Sequence, residues 1–386
     1  MRRTATHNER NAAGAIGRTI EELPTPCLLA DLNAMTRNLQ TLQRFLQLKG
    51  KSLRAHAKTH KSSQIASLQL KNGAIGICVA KLSEAEALIK SGIINLLVTG
   101  PVVTDEAHDR LIGCLDTAPE LLITLDNLDN ARRLAKKAPS FGEPLHCLID
   151  LDPGFHRTGV PLSEAIAFAQ NLAEIPQLRI RGIQSYAGDL QHIVSWEERS
   201  ARTKLALAPV VDIFREYRSL GLNMDIFSVG GTGTVQFDAE IPEVTEIQAG
   251  SYVFMDAEYG GLEWKDFLDR PGTFETSLCL LSTVVTANHP GFATIDAGLK
   301  ALYRDGATPT VIEPLPFPTA MTYDWFGDEY GKLTAARPDH HFTVGEKIQL
   351  TVSHLDPTIN LFDYMYLTDA GRVVDVIPID LRGCSQ

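Results

Sequence analysis

Residues 53–61 read LRAHAKTHK, an alternation of apolar and polar residues that ends in a cluster of His and Lys. This alternation predicts a short strand that ends at Lys58 and opens into a loop. A lysine at the end of a buried strand is unusual, because burial disfavours the ammonium form and lowers the pKa of the amine. Schiff-base chemistry needs an amine of that kind. An ordinary surface lysine at a strand end is the simpler alternative, and the rest of the chain has to decide between the two.

The sequence on either side of Lys58 repeats one rhythm, in which a strand is followed by a helix. Several strand candidates are continuous apolar runs, as expected for parallel strands that are covered on both faces. Eight strands over roughly 200 residues predict a TIM-type (β/α)8 barrel. An open doubly wound sheet is the alternative, but no GxGxxG turn follows the first strand. The predicted strands are residues 53–58, 75–80, 95–99, 121–125, 146–151, 180–186, 225–229 and 246–251.

A second, β-rich domain is predicted after residue 251, where strand-like runs are separated by turns rich in Gly, Pro and Asp. We expect residues 1–35 to join this domain, residues 36–255 to form the barrel, and residues 256–386 to form the β-rich part. Residues 1 to about 20 are polar and Arg-rich, and we expect them to be loosely ordered. The strand-like runs are residues 276–287, 292–296, 347–352, 364–368 and 373–379.

The composition is that of an ordinary globular protein, with 386 residues, 44% of them hydrophobic and 22% charged. A net charge of −11 argues against nucleic acid or an anionic membrane as the main partner. No apolar run reaches the length of a membrane span, and the polar N-terminus lacks the apolar core of a signal peptide. The six cysteines are scattered without a CxxC spacing, which predicts free thiols in a reducing compartment. We therefore expect a cytoplasmic protein.

A barrel carries its chemistry on the loops that follow its strands. The glycines at 230, 231 and 233, together with Thr232, Gly250 and Ser251, resemble a cradle of N–H groups and hydroxyls for a phosphate, although a tight loop alone would also account for them. With Lys58 at the end of the first strand, they suggest a phosphorylated aldehyde cofactor. Pyridoxal phosphate offers both groups. The other candidate residues at strand ends are His60, Asp152, Gly154, Arg157, Tyr186, Gln191 and His192.

The segment SHLDPT (353–358) in the β-rich part predicts a metal site. His354 and Asp356 are two residues apart, so on an extended segment both side chains point the same way and can reach one cation. An imidazole with a carboxylate suits Mn²⁺, Mg²⁺ or Zn²⁺, and the absence of a thiolate weakens the case for Zn²⁺. The alternative is a surface His and Asp in a turn before Pro357.

Motifs spread in order along nearly the whole chain resemble the D-threonine aldolase / D-serine dehydratase family, which are fold-type III pyridoxal-phosphate enzymes with an alanine-racemase-like barrel. They include TPCLLADL (25–32), RAHAKTHK (54–61), GGTGT (230–234), EIQAGSYVFMDAEYG (246–260) and SHLDPTINLFD (353–363). The resemblance implies that Lys58 forms the Schiff base with pyridoxal phosphate, and that the chain is a head-to-tail homodimer. The other implied roles are phosphate binding by Thr232, Gly250 and Ser251, cofactor contacts by Tyr186 and Arg157, metal binding by His354 and Asp356, and substrate-hydroxyl contact by His192.

The residues HLDPT (354–358) bear on the reaction. Dehydratase-type members resemble HxC at this point and aldolase-type members HxDPT. The resemblance therefore implies an aldolase that cleaves D-3-hydroxy amino acids to glycine and an aldehyde. Two hypotheses stay open beside it, a dehydratase acting on D-serine or D-3-hydroxyaspartate, and a non-catalytic pyridoxal phosphate carrier. Departures from the family pattern, which leave the preferred substrate open, occur at Ala80, Ala187, Val229 and Tyr330.

Overall fold

A computed structural model describes residues 14–138, 142–267, 274–312 and 320–386. The first strand, β1 (Cys27–Asp31), belongs to a β-rich sheet, and the next strands form a barrel. They are β2 (Ser52–His56), β3 (Gly76–Val79), β4 (Leu96–Val98), β5 (Leu122–Leu125), β6 (Leu145–Asp152), β7 (Val160–Pro161), β8 (Leu178–Ser185), β9 (Ile226–Val229) and β10 (Glu246–Ile247).

The barrel is closed and all its neighbouring strands are parallel. The order β5-β4-β3-β2-β10-β9-β8-β6 returns to its start because β6 also pairs with β5, while the two-residue β7 is an addition on β6. A ring of this kind excludes the open doubly wound sheet and confirms the predicted (β/α)8 barrel. The strand interiors are fully buried apolar runs, as in β3, β4 and β5.

Helices follow the strands, as the sequence predicts. Their first turns begin at polar residues whose side chains accept a backbone N–H, for example Ser62, Thr104 and Asn127. Arg54 and Glu246 form a buried ion pair of 2.8 Å near the amino-terminal ends of the strands. The helices are Leu32–Leu48, Ser63–Lys71, Leu82–Lys90, Asp105–Leu115, Leu128–Ala135, Ala165–Ala173, Trp196–Ser219, Val235–Asp238, Ala257–Gly260 and Leu355–Ile359.

The second sheet contains β1 and the strands β11 (Leu278–His289), β12 (Phe292–Ile295), β13 (Met321–Trp325), β14 (Gly331–Ala335), β15 (Lys347–Thr351), β16 (Tyr364–Asp369) and β17 (Arg372–Pro378). Its order is β13-β14-β12-β11-β1-β16-β17, and β15 also pairs with β11. Strand β1 lies in its centre, antiparallel to β11 and parallel to β16, so the chain passes from the β-rich part into the barrel and back. The domain boundaries at residues 35 and 255 stay predictions.

The expectation of a loose N-terminal segment is wrong for its described part. The N–H of Gly17 donates to the Val373 carbonyl at 2.8 Å, and the N–H of Val373 donates to the Arg18 carbonyl at 2.9 Å. Ala15 is only 2% exposed. Residues 14–20 are therefore held along β17, whereas residues 1–13 lie outside the described part. Among the described helices, none has the length and apolar character needed to cross a membrane.

Candidate active site

Lys58 lies in the turn just after β2, because the strand ends at His56, two residues earlier than predicted. Its Nζ is 2.8 Å from Oδ1 of Asp356, which is brought in by the helix Leu355–Ile359. Burial disfavours the ammonium form, but the Asp356 carboxylate outweighs burial and raises the pKa of Lys58. The expected lowering of the Lys58 pKa is therefore wrong for the free protein. Burial likewise raises the pKa of Asp356, yet the charge of Lys58 overcomes it and lowers that pKa to about 2.

A cavity of about 300 Å³ opens at the carboxyl ends of the barrel strands. Its wall contains Lys58, which follows β2, and residues that follow β6, β8, β9 and β10. All the predicted cofactor-binding residues line it, namely Lys58, Arg157, Tyr186, Thr232, Gly250 and Ser251. The fold thus assembles in one place the side chains that the sequence spreads over nearly 200 positions.

The part of the cavity at the carboxyl ends of β9 and β10 offers hydrogen-bond donors that can bind an anion. Within the described residues, the backbone N–H groups of Gly231, Thr232 and Gly250 donate to no protein acceptor. The Thr232 hydroxyl oxygen accepts the Tyr252 N–H at 3.0 Å, which fixes its position in the wall. A Cβ on Gly250 would lie 2.8 Å from the His56 carbonyl oxygen, so the chain approaches too closely for any larger residue. These donors fit the phosphate of pyridoxal phosphate.

Arg157 supplies a cation on another side of the cavity. Its guanidinium carbon lies 5.2 Å from the ring centre of Tyr186 and 5.1 Å from that of Phe155. Stacking on two aromatic faces holds the guanidinium in place without neutralising its charge. Arg157 can therefore pair with an anionic oxygen of a bound molecule, as the resemblance implies.

His192 stands beside the cavity next to two residues that the sequence reading missed. Its Nδ1 is 3.1 Å from Oε2 of Glu258, and its ring centre is 4.7 Å from that of Tyr259, which lines the cavity. Burial lowers the pKa of His192, although Glu258 acts in the opposite direction. The imidazole is therefore neutral at pH 7 and able to accept a proton. Glu258 and Tyr259 lie in the motif DAEYG (256–260), but no spacing in the sequence links them to residue 192.

The predicted metal pair comes together through a different local structure. His354 is the residue before the helix Leu355–Ile359 and Asp356 lies in its first turn, so the expected extended segment is wrong. The two side chains still meet, with His354 Nε2 3.9 Å from Asp356 Oδ2. Asp305 Oδ2 lies 3.2 Å from the other ring nitrogen of His354.

The donor set of this pair fits a hard divalent cation. One imidazole nitrogen and one carboxylate are available, and water and substrate oxygens commonly complete such sites. In the described part of the chain, no group of three or more His, Cys, Asp and Glu residues is arranged to hold a metal. Among the His, Cys, Asp and Glu side chains of the described residues, a cation here would therefore depend on His354 and Asp356.

His60, the other candidate in the first loop, is structural. Its Nδ1 accepts the Ser62 N–H at 3.1 Å, and its Nε2 donates to Gln69 Oε1 at 3.2 Å. The ring is fully buried, and burial lowers the pKa of His60 to about 4. Both ring nitrogens are thus occupied by the protein. Asp152 is structural too, since its carboxylate accepts the N–H groups of Gly154 and His156.

Protonation of His60 should destabilise the fold at acid pH. Its folded pKa of about 4 lies below the unfolded value of 6.5, so the unfolded state binds the proton first as the pH falls. Stability is then lost progressively from about pH 6.5 down to about pH 4, and the loss reaches about 2 kcal/mol at pH 5. Urea unfolding at pH 7 and pH 5 measures it. The His60→Gln variant should lose less stability over this interval than the natural protein, and an equal loss in both would contradict the assignment.

A row of hydrogen-bonded polar side chains lines the cavity, and the sequence analysis does not predict it. Gln248 Nε2 donates to Gln184 Oε1 at 3.0 Å, and Gln184 Nε2 donates to Asp150 Oδ1 at 3.0 Å. All three residues line the cavity. Burial raises the pKa of Asp150 to about 6. The signal in the sequence is a polar residue within an otherwise apolar strand, as in LIDLD (148–152) and GIQS (182–185).

Comparisons with known proteins identify the family of the chain. Residues 30–258 match the family model of the alanine racemase N-terminal domain, and residues 277–368 match that of a putative serine dehydratase domain. The chain is 34% identical over 366 residues to the 3-hydroxy-D-aspartate aldolase of Paracoccus denitrificans (94% of this chain, 93% of the relative). It is also 34% identical over 372 residues to the D-threonine aldolase of an Arthrobacter species (96% of each).

The solved structures give the same result. The crystal structure of D-threonine aldolase from Filomicrobium marinum superimposes with a TM-score of 0.90 at 33% identity, covering 96% of this chain and 99% of that one. Because the similarity runs through both the barrel and the β-rich sheet, the whole architecture is shared.

Proposed function

The chain belongs to the family of pyridoxal-phosphate lyases that includes D-threonine aldolase, and from that premise we propose that it cleaves D-3-hydroxy amino acids to glycine and an aldehyde with the help of a divalent metal. The observation that carries the proposal is the contact between Lys58 at the cavity and Asp356 of the HLD sequence. This contact places a prospective Schiff-base lysine and a prospective metal ligand at one point. A carrier without turnover would have no use for that arrangement.

Lys58 is the residue that would hold pyridoxal phosphate covalently. Bound there, the cofactor supplies an aldehyde for an amine and a ring that withdraws the electron pair of the breaking Cα–Cβ bond. Gly231, Thr232, Gly250 and Ser251 would hold the phosphate through N–H groups and hydroxyls, while Arg157 would approach the phenolic oxygen. Because Asp356 favours the ammonium form of Lys58, the amine becomes a nucleophile only when that ion pair is broken.

His354 and Asp356 would hold the divalent metal, Mn²⁺, Mg²⁺ or Zn²⁺, and such an ion would supply a Lewis acid for the 3-hydroxyl of the substrate. Asp356 contacts Lys58 in the free protein, so the same carboxylate would serve both Lys58 and the metal. His354 is oriented from behind by Asp305, 3.2 Å from its Nδ1, which leaves Nε2 on the side of Asp356.

His192 is the residue that we assign as general base. The Glu258 carboxylate lies 3.1 Å from its Nδ1 without a hydrogen bond between the two, and the imidazole would take the proton of the 3-hydroxyl on a ring nitrogen. As that proton moves to His192, the C–O bond becomes the C=O of the aldehyde and the Cα–Cβ bond breaks. Return of a proton to Cα then gives glycine, which balances the reaction.

A homodimer is part of the proposal. The loops around Leu299 and Phe326 pack together, since the Leu299 N–H donates to the Gly327 carbonyl at 3.2 Å. They expose large apolar side chains, with Phe326 at 56% and Tyr330 at 48% exposure. An apolar surface of this kind supports an interface with a second copy. The cytoplasmic location stays a prediction.

A product assay tests the reaction. Purified protein with pyridoxal phosphate is given D-threonine, D-3-hydroxyaspartate and D-serine, with EDTA and after re-addition of Mn²⁺. We expect glycine plus an aldehyde from the first two substrates, and a rate that EDTA lowers and Mn²⁺ restores. A 2-oxo acid with ammonia would instead establish the dehydratase, the second candidate, which the match to the serine dehydratase domain favours. Absence of any product across the panel would leave the carrier hypothesis.

A further inference from the structure

Arg199 is a buried cation whose partners, among the described residues, are backbone carbonyls. It lies in the first turn of the helix Trp196–Ser219 and is 0% exposed. Its Nε donates to the Gly233 carbonyl at 2.8 Å, and its Nη2 to the Glu263 carbonyl at 2.6 Å. Its Nη1 donates to the carbonyls of Ile193 and Val194. A buried guanidinium is costly unless its donors are satisfied, so this residue holds several loops together at once.

Two of those loops belong to the proposed site. Ile193 and Val194 directly follow His192, the proposed base, whereas Gly233 closes the glycine loop of residues 230–234 under the phosphate end of the cavity. One side chain therefore fixes the backbone next to the base and the backbone next to the phosphate cradle. The guanidinium carbon lies 5.5 Å from the ring centre of Trp264 and 5.6 Å from that of Phe237, which limits its movement.

Gln191, the residue before His192, makes the same connection from the other side. Its Oε1 accepts the Gly233 N–H at 3.1 Å, and its Nε2 donates to the Thr234 hydroxyl at 2.9 Å. The contact is so close that a Cβ on Gly233 would lie 2.0 Å from the Gln191 carbonyl oxygen, and one on Gly231 would lie 2.5 Å from its Oε1. Gly231 and Gly233 of GGTGT (230–234) are thus required by the close approach of Gln191.

Gly233 is consequently held at both of its backbone groups, by Gln191 at its N–H and by Arg199 at its carbonyl. Because Gly233 is anchored in this way, the loop holds Gly231 and Thr232 at the cavity. A loop that loses one of these anchors would have to be ordered by the ligand itself, which weakens binding. The backbone after His192 would lose its anchor in the same event.

We propose that Arg199 and Gln191 form a positioning unit that couples the phosphate end of the cofactor site to the base His192, an inference that rests on the proposed function. Neither residue lines the cavity. They act through the backbone of residues 191–194 and 230–234. A bound phosphate group would therefore also stabilise the backbone that carries His192.

The variants R199M and R199K test the proposal, with Y217F as a matched control. Tyr217 is buried in the same helix, and its hydroxyl donates to the Ala165 carbonyl at 2.7 Å, away from the cavity. Apoprotein is titrated with pyridoxal phosphate and with pyridoxal, which lacks the phosphate, and the absorbance of the lysine adduct is followed. In R199M we expect the affinity for pyridoxal phosphate to fall on the order of tenfold, and that for pyridoxal to change by less than about twofold.

Kinetics at saturating cofactor supply the second readout. With the base displaced, kcat of R199K should fall on the order of tenfold while KM stays within about twofold of the natural value. Y217F should change neither quantity. If R199M does not fold, R199K carries the binding test, with an expected loss of about threefold for pyridoxal phosphate alone.

Equal losses for pyridoxal phosphate and pyridoxal, or an Arg199 variant that behaves like Y217F, would overturn the coupling. A natural protein that forms the adduct, prefers pyridoxal phosphate over pyridoxal and keeps that preference in R199M would remove this inference while leaving the proposed function intact. A natural protein that forms no adduct at all would remove both.

Discussion

Lys58→Ala is expected to remove the visible absorbance of the lysine adduct and to lower the aldolase rate by on the order of 10³-fold or more. Three observations support this role for Lys58. It lines the cavity, it follows the first barrel strand, and its amine contacts Asp356 at 2.8 Å. The variant leaves the anion-binding groups untouched, so the cofactor should still bind, but without a covalent bond to the protein.

The matched control is Lys81→Ala. Lys81 also lines the cavity, after β3, but is exposed and follows the neighbouring strand. Its removal should leave the absorbance band in place. Reduction of the holoprotein with borohydride, followed by digestion and mass spectrometry, should attach the tag to the peptide that contains residue 58. A tag on residue 81, or an unchanged band in Lys58→Ala, would contradict the assignment.

The sequence predicted the barrel because each strand carries its own signal. Buried parallel strands are continuous apolar runs, and turn residues separate them from the helices, so local patterns are sufficient to predict the eight strands. The strands β13 and β14 gave no such signal. In β13 only Tyr323 is buried, whereas β14 buries Gly331, Leu333 and Ala335, and β14 joins β13 to β12.

The chemistry of single residues was less accessible, since it depends on partners that are distant in sequence. The direction of the Lys58 pKa shift is set by Asp356, 298 positions away, and no sequence pattern around residue 58 predicts this contact. The pairing of His192 with Glu258 has the same character. The sequence HLDPT does not distinguish a helix from an extended segment, because the proline at 357 is as compatible with the first turn of a helix as with a turn between strands.

His354→Ala is expected to remove the metal dependence and to lower the rate by on the order of 10²-fold or more. His354 is one of only two proposed protein ligands, and Asp356, the other, is already engaged with Lys58 in the free protein. A cation held by so few protein atoms should not survive the loss of the imidazole. His354 does not line the cavity, so the lysine adduct and its absorbance should be retained.

The measurement is the rate of glycine formation by the EDTA-treated protein as Mn²⁺ is added back. The natural protein should recover its activity, His354→Ala should stay at the basal rate at every Mn²⁺ concentration, and His341→Ala, which changes an exposed histidine of the same β-rich part, should behave like the natural protein. The adduct absorbance, recorded in the same samples, separates loss of metal from loss of cofactor. Full recovery in His354→Ala would place the cation elsewhere. Asp356 would then serve only to neutralise Lys58, and the 3-hydroxyl would be polarised by a cation held by other residues.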